Sequence, residues 1–241
     1  MSADPADLAD PAVVALVAAM RDGLAALADP TRAPAMQAYM KSDLPFRGVA
    51  GPAQRVLFTR VLRAHPLADP TSWADTVRQL WDAASYREER YAAIAVVADP
   101  AYARFLDPTV LPLLEHLVVT GAWWDHVDAL ATRTIGPLVR AYPAELVPVM
   151  VAWSREPDLW RRRTAILHQV GAKDATDTEL LSVCLEPSLG SREFFLRKAI
   201  GWALRDLAWR DPGWVQTYVR AHADVLSGLS RREALKNCGP G

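Results

Sequence analysis

The sequence predicts an all-α protein, a solenoid of short helices stacked as antiparallel pairs. Three observations carry that prediction. The 241-residue chain holds 41 Ala and 29 Leu against 22 Val and 4 Ile. Ala and Leu lose least on entering a helix, whereas strands favour β-branched side chains. The 18 prolines punctuate the chain, and one dipeptide recurs at Asp29-Pro30, Asp69-Pro70, Asp99-Pro100, Asp107-Pro108 and Asp211-Pro212. There aspartate caps a helix and proline takes its first position, where no N–H is needed. Between these marks the apolar residues recur at helical spacing. About twelve helices of ~10–18 residues are many for one central bundle core, which favours stacked pairs over a compact bundle.

The elements follow in order. An apolar stretch through Val13–Met20 sits in a first helix over 11–28, and helices over 34–41 and 53–64 follow. Asp69-Pro70 opens 71–84, where Trp73, Val77, Leu80 and Trp81 repeat at i, i+4, i+7 and i+8. A helix over 87–98 precedes Asp99-Pro100, and Asp107-Pro108 opens 108–119. The next spans 123–140 with Trp123, Val127 and Leu130 on its core stripe, and 143–155 repeats the pattern in Leu146, Val149, Met150 and Trp153. Helices over 158–171 and 176–187 follow; Cys184, among Leu181, Val183 and Leu185, reads as core. Leu196, Ile200, Leu204 and Leu207 form the stripe of 192–209; 212–222 and a stub after 229 complete the chain. No linker rich in Gly, Ser or charge divides it, so residues 11–241 are expected to form one domain behind an acidic, disordered tail over 1–10.

Composition excludes several classes. A 51% hydrophobic chain is not wholly disordered. A mean hydropathy of +0.01, with no run of ~18 uncharged apolar residues, excludes a multi-span membrane protein. Two cysteines make neither a disulfide framework nor a four-cysteine zinc site. The acidic start lacks a signal peptide's basic region, so a cytoplasmic protein is expected. Net charge is −1, but residues 155–241 hold fourteen bases and eleven acids while residues 1–30 hold one base and five acids. Of the 27 bases 23 are Arg, which suits phosphate forks and equally a GC-rich codon usage.

Common catalytic motifs are missing: GxGxxG, the P-loop, HExxH and GxSxG are absent, and the five histidines lack ligand spacing, so no metal or cofactor is expected. Three features remain. Trp124 is rotated off the core stripe, with Asp128 four residues on and beside it. That indole either packs on a neighbouring helix or serves a site. On the 192–209 helix, Trp202 faces away from the core stripe with Phe195, Lys198 and Arg205. This is a nucleic-acid surface or a solvated cation–π face. Arg163 shares the register of Leu167 and Val170, so it must find a carboxylate, a phosphate or an exposed groove.

Several segments resemble the AlkD family of bacterial DNA alkylation-repair glycosylases. They are Met36–Lys41, Leu117–Thr120 with Trp123-Trp124-Asp125-His126-Val127-Asp128, Leu159–Leu167, Glu193–Trp202 and Leu229–Ala234. The match runs in order from about residue 30 to 236. The resemblance implies a superhelix of HEAT-like helical pairs with a basic face for duplex DNA. It implies excision of cationic purines such as 7-methylguanine and 3-methyladenine by N-glycosidic hydrolysis, without a base-binding pocket. It makes Asp128 the catalytic carboxylate, Trp124 and Trp202 the sugar-contacting indoles, and Arg163 a phosphate-side arginine. Arg205, Lys198 and Tyr39 are carried over as further DNA contacts, and a monomer is expected. The chain departs from the family at Phe46-Arg47-Gly48-Val49-Ala50-Gly51-Pro52, where some members carry polar residues. Its pI of ≈ 6.5 lies below the ~9 usual for DNA-binding domains, so affinity has to come from local patches and fall steeply with salt. A non-catalytic helical-repeat scaffold for DNA or protein, and a specialist for bulky adducts, are the alternatives.

Overall fold

The computed structural model describes residues 10–239, and residues 1–9 of the expected acidic tail lie outside the described residues. Asp10, placed in that tail by the sequence, is instead the N-cap of the first helix: its carboxylate accepts the Ala12 amide at 2.8 Å and the Ser72 hydroxyl. The chain divides into two compact units, the first ending at Phe105 and the second beginning at Leu106. No Gly/Ser linker marks the division, which falls between two short 3-10 turns. Every described element is helical, as the Ala/Leu-rich composition predicts, and no described helix is long and apolar enough to cross a membrane.

In the first unit α1 (Pro11–Ala26), α2 (Ala33–Met40), α3 (Gly51–Ala64), α4 (Pro70–Asp82) and α5 (Arg87–Ala98) are followed by a 3-10 turn at Pro100–Phe105. The Asp69 carboxylate accepts the Thr71 and Ser72 amides at 2.9 and 3.0 Å, which is the Asp-Pro cap read from the sequence. α1 packs on α3 and α4, and α4 on α5, burying Leu16, Met20, Leu24, Leu57, Trp73, Leu80 and Trp81. The segment before α3 is clasped from within. Glu88, wholly buried on α5, accepts the backbone N–H groups of Arg47, Gly48 and Val49 at 3.0, 2.9 and 3.2 Å. Gly48 sits at φ +83°, and a Cβ there would stand 2.1 Å from the Asp29 carbonyl oxygen. Only glycine satisfies both constraints.

The second unit opens with a 3-10 turn at Pro108–Val110 and continues through α6 (Leu111–Gly121) and α7 (Trp124–Leu130). A π-helical turn (Ala131–Ile135) then leads into α8 (Gly136–Ala141), α9 (Pro143–Trp153), α10 (Leu159–Leu167) and α11 (Thr178–Leu185). α12 (Phe194–Leu207), α13 (Pro212–Ala221) and α14 (Gly228–Ala234) complete it. α10 is central and packs on α6, α7, α9, α11 and α12, while α12 packs along α14. Ile166, Leu167, Leu181, Leu185, Leu196, Ile200 and Leu204 share one core cluster, and Cys184 is buried as expected, its thiol pushed up to about 12 by that burial.

The helix expected over 123–140 differs in two ways. Trp123 is not on its stripe: it is the N-cap, with extended backbone at φ −153°, and α7 starts one residue later, with Val127 and Leu130 buried as read. The π turn has a local cause. Pro137 has no N–H to return to the preceding turn, and the widened turn accommodates it. Gly136, at the end of that turn, meets α10's C-terminus so closely that a Cβ would lie 1.9 Å from the His168 carbonyl oxygen. The helix expected over 158–171 stops at Leu167, and residues 168–170 continue as turns into Gly171 at φ +83°. The stub after 229 is α14.

Candidate active site

Three helix starts converge in the second unit, each carrying an aromatic ring. Trp123 caps α7, Trp160 lies in the first turn of α10 and Phe195 in the first turn of α12. Their ring centroids stand 6.3 Å (Trp123–Trp160), 5.3 Å (Trp123–Phe195) and 5.2 Å (Trp160–Phe195) apart. Tilted and edge-on packing of this kind fixes the three helices against one another beyond what area burial alone gives. It therefore sets the relation between what α7 and α10 carry one turn further in.

What they carry is Asp128 and Arg163. The guanidinium forks onto the carboxylate, Nε to Oδ1 at 2.7 Å and Nη2 to Oδ2 at 2.9 Å, and Nη1 donates to the carbonyl oxygen of Phe195. Bidentate geometry is the strong form of this pair, and it fixes the plane of the carboxylate as well as its place. The Asp128 side chain keeps 14% exposure and that of Arg163 only 5%. The carboxylate therefore keeps a small exposed surface while its clamp is almost wholly covered. Burial pushes the Asp128 carboxyl up from the ordinary carboxylate range, and the hydrogen bonds and charge of Arg163 offset part of that rise. The Asp128 backbone carbonyl accepts the Thr132 hydroxyl at 2.8 Å, next to the π turn that ends α7.

Arg163 departs from its expected place. The resemblance puts it at a phosphate; in the structure all three guanidinium nitrogens are committed inside the protein and the residue is 4% exposed. Of the three partners its inward register left open, the fold supplies the carboxylate.

Trp124 lies one turn before Asp128 on α7 and is half-buried. On α12, Phe195, Lys198, Trp202 and Arg205 fall at i, i+3, i+7 and i+10 and share one face. Trp202 is less outward than the spacing suggests, being half-buried and packed against the core cluster, so its ring is held on one side. Lys198 and Arg205 both reach Glu233 on α14. Tyr39, in contrast, stands on α2 in the first unit, 77% exposed. Sequence reasoning missed Trp160, the Phe195 carbonyl and Glu233. The first had a signal, an aromatic at the start of each of three helices; the carbonyl had none. Among the described residues no group of three or more His, Cys, Asp and Glu side chains is gathered in metal-binding fashion.

An all-helical repeat fold presenting an arginine-clamped carboxylate defines the class of protein. Within it the chain belongs to the DNA alkylation repair enzyme family, whose model matches residues 20–238. A solved structure described as a predicted DNA alkylation repair enzyme from Enterococcus faecalis is similar at 28% identity and a TM-score of 0.77, covering 89% of this chain and 98% of its own. Among curated proteins none matches.

Proposed function

We propose that the protein is a DNA glycosylase that releases cationic alkylated purines, such as 7-methylguanine and 3-methyladenine, from duplex DNA. The observation that carries this reading is the Asp128 carboxylate, held through both oxygens by Arg163 and left partly exposed. A purine alkylated at N3 or N7 already bears positive charge, so the C1′–N bond can break with both electrons leaving on the base, which departs neutral. No general acid is needed. What has to be stabilised is the oxocarbenium-like sugar, as in glycoside hydrolysis. Asp128 supplies negative charge near C1′ and takes the proton of the water whose oxygen bonds to that carbon. A carboxylate with part of its hydration removed exerts a stronger field there than a solvated one.

The indole faces of Trp124 and Trp202 hold the cationic sugar through their quadrupoles, each contact contributing roughly 0.5–2 kcal/mol. Arg163 is a positioning residue: it fixes the carboxylate plane and supports its charged form. Lys198 and Arg205 meet backbone phosphates, and exposed Tyr39 is a further DNA contact. The enzyme works as a monomer in the cytoplasm, without metal or cofactor.

Release of 7-methylguanine from methylated duplex DNA, with Asp128→Asn measured alongside, tests the proposal. The substitution keeps the shape and loses the charge. It is expected to slow release at least tenfold, more than ~1.4 kcal/mol of barrier, while duplex binding persists. No release above the spontaneous rate by the intact protein, or a near-normal rate in the variant, overturns the reading.

A further inference from the structure

The helix that carries Trp202 holds a second charged arrangement. α14 lies close on α12 because residue 201 is glycine: a Cβ there would stand 2.5 Å from the Glu233 Cβ and 3.1 Å from the Ser230 carbonyl oxygen. The Ser230 hydroxyl donates to the Arg197 carbonyl at 2.9 Å and holds that approach. Glu233 is thereby brought against the Lys198–Trp202–Arg205 face of α12. Its Oε2 accepts Arg205 Nη1 at 2.5 Å, and its Oε1 accepts Lys198 Nζ at 3.3 Å and Lys236 Nζ at 2.9 Å.

One acid gathers three bases, a local excess of two positive charges. The Glu233 side chain is 12% exposed, against 41%, 32% and 53% for Lys198, Arg205 and Lys236, so the cations stay open to solvent around a covered hub. The Lys236 hydrogen bond, then that of Lys198, holds the Glu233 carboxyl below its usual range against the opposing effect of burial. Solvent-facing ion pairs contribute little to stability and cost side-chain entropy to order. Ordering three long cations on one buried-edge carboxylate therefore returns little to the fold. It does return pre-organisation to a ligand that meets all three. Such a ligand is anionic and extended along α12, as a nucleic-acid backbone is.

We propose that Glu233 is a positioning residue that organises Lys198, Arg205 and Lys236 into a preformed seat for the DNA backbone beside Trp202. Its catalytic consequence rests on the glycosylase reading above; the seat itself is read by binding alone. Charge counting and positioning make opposite forecasts. Removing an acid from a basic patch strengthens attraction to DNA, whereas removing the hub of the seat misplaces the backbone that presents the sugar to Trp202.

The test uses the full chain in two assays, salt-dependent binding to unmodified duplex and single-turnover release of 7-methylguanine from methylated duplex. Glu233→Gln is expected to bind unmodified duplex as tightly as the parent or more so, yet release base about tenfold more slowly. Glu233→Asp, which keeps the charge on a shorter stem, recovers part of that loss. Lys236→Ala, at an exposed position that threatens no core, reduces the slope of log K against log salt by about 0.9, one phosphate. A parental release rate in Glu233→Gln, no recovery in Glu233→Asp, or an unchanged salt slope in Lys236→Ala overturns the seat. If the parent releases no base but Glu233→Gln shifts the salt slope in the same direction as Lys236→Ala, the glycosylase reading fails and the seat stands; a Glu233→Gln slope equal to the parent's overturns both.

Discussion

Replacing Arg163 by Met isolates the clamp on Asp128. Methionine is apolar and of similar reach, so it leaves the Asp128 carboxylate without a counter-charge and the Phe195 carbonyl without its donor. Breaking a fully buried ion pair from one side costs about 3–5 kcal/mol. Asp128 keeps 14% side-chain exposure, so water tempers the charge and the cost falls just below that range, ~2–3 kcal/mol. The orphaned carbonyl adds about 1 kcal/mol. At about 2–4 °C of melting temperature per kcal/mol for a chain of this size, the variant melts ~6–16 °C below the parent at neutral pH.

The pH dependence is a second, stricter part of the same prediction. Burial raises the Asp128 carboxyl and Arg163 opposes that rise, so removing Arg163 raises it further. The native state of the variant then holds a proton more tightly than the unfolded chain does. Its stability therefore increases as pH falls through the elevated range. The deficit against the parent is largest near neutrality and shrinks on acidification. Thermal or urea unfolding across that pH range measures it, with Asp128→Asn added to the variant as a control that restores part of the loss. A melting temperature within 2 °C of the parent, about 1 kcal/mol or less, refutes the clamp. So does a deficit that grows as the pH is lowered.

Three further outcomes are expected besides the loss of base release in Asp128→Asn. Gly136→Ala forces a methyl to 1.9 Å from the His168 carbonyl oxygen and should destabilise by about 1–3 kcal/mol or more; a parental melting curve would show that the π turn yields freely. Asp29, in the turn before α2, and the caps Asp69 and Asp107 are held below the ordinary aspartate range, chiefly by hydrogen bonds from Thr31, Ser72 and Thr109 respectively. Their stabilisation is therefore complete above that range and lost as pH falls through the depressed values, so Asp69→Asn, which caps without titrating, should soften the acid limb of unfolding. An acid limb identical to the parent's would remove Asp69 from that account. In the native state thiol reagents should modify Cys238 well before Cys184, which is buried with its thiol at about 12; equal rates would contradict the packing of α11.

The helices were legible because their signals are local. Asp69-Pro70 and the Trp73–Trp81 stripe each lie within a few residues, and the structure places α4 accordingly. Arg163 was half legible. Its register said that a cation turns inward, but the choice among carboxylate, phosphate and groove depends on α7 meeting α10 across 35 residues, which no local period encodes. Trp123 shows the reverse failure: a sound i, i+4, i+7 spacing starts the helix one residue before its true beginning, because an N-cap and a first-turn residue look alike in a stripe. Glu233 was hidden for a third reason. An acid in a run of bases ordinarily reads as a solvated neighbour, and only the close approach of α14 to α12 at Gly201 brings it to Lys198 and Arg205. The division at Phe105 left no compositional trace, since 3-10 turns rather than a flexible linker make the passage.

The Glu88 clasp gives the first unit an internal clock. Surface loops ordinarily trade their amide hydrogens with water quickly, whatever the rest of the molecule does. The amides of Arg47, Gly48 and Val49 instead end on a carboxylate that is wholly buried on α5. They can exchange only when their bonds to Glu88 break, so their deuterium uptake should be slower than that of loops whose amides meet water. A peptide spanning residues 46–50 would then report how often the Glu88 clasp opens, from a stretch of chain whose amides make no helical hydrogen bonds.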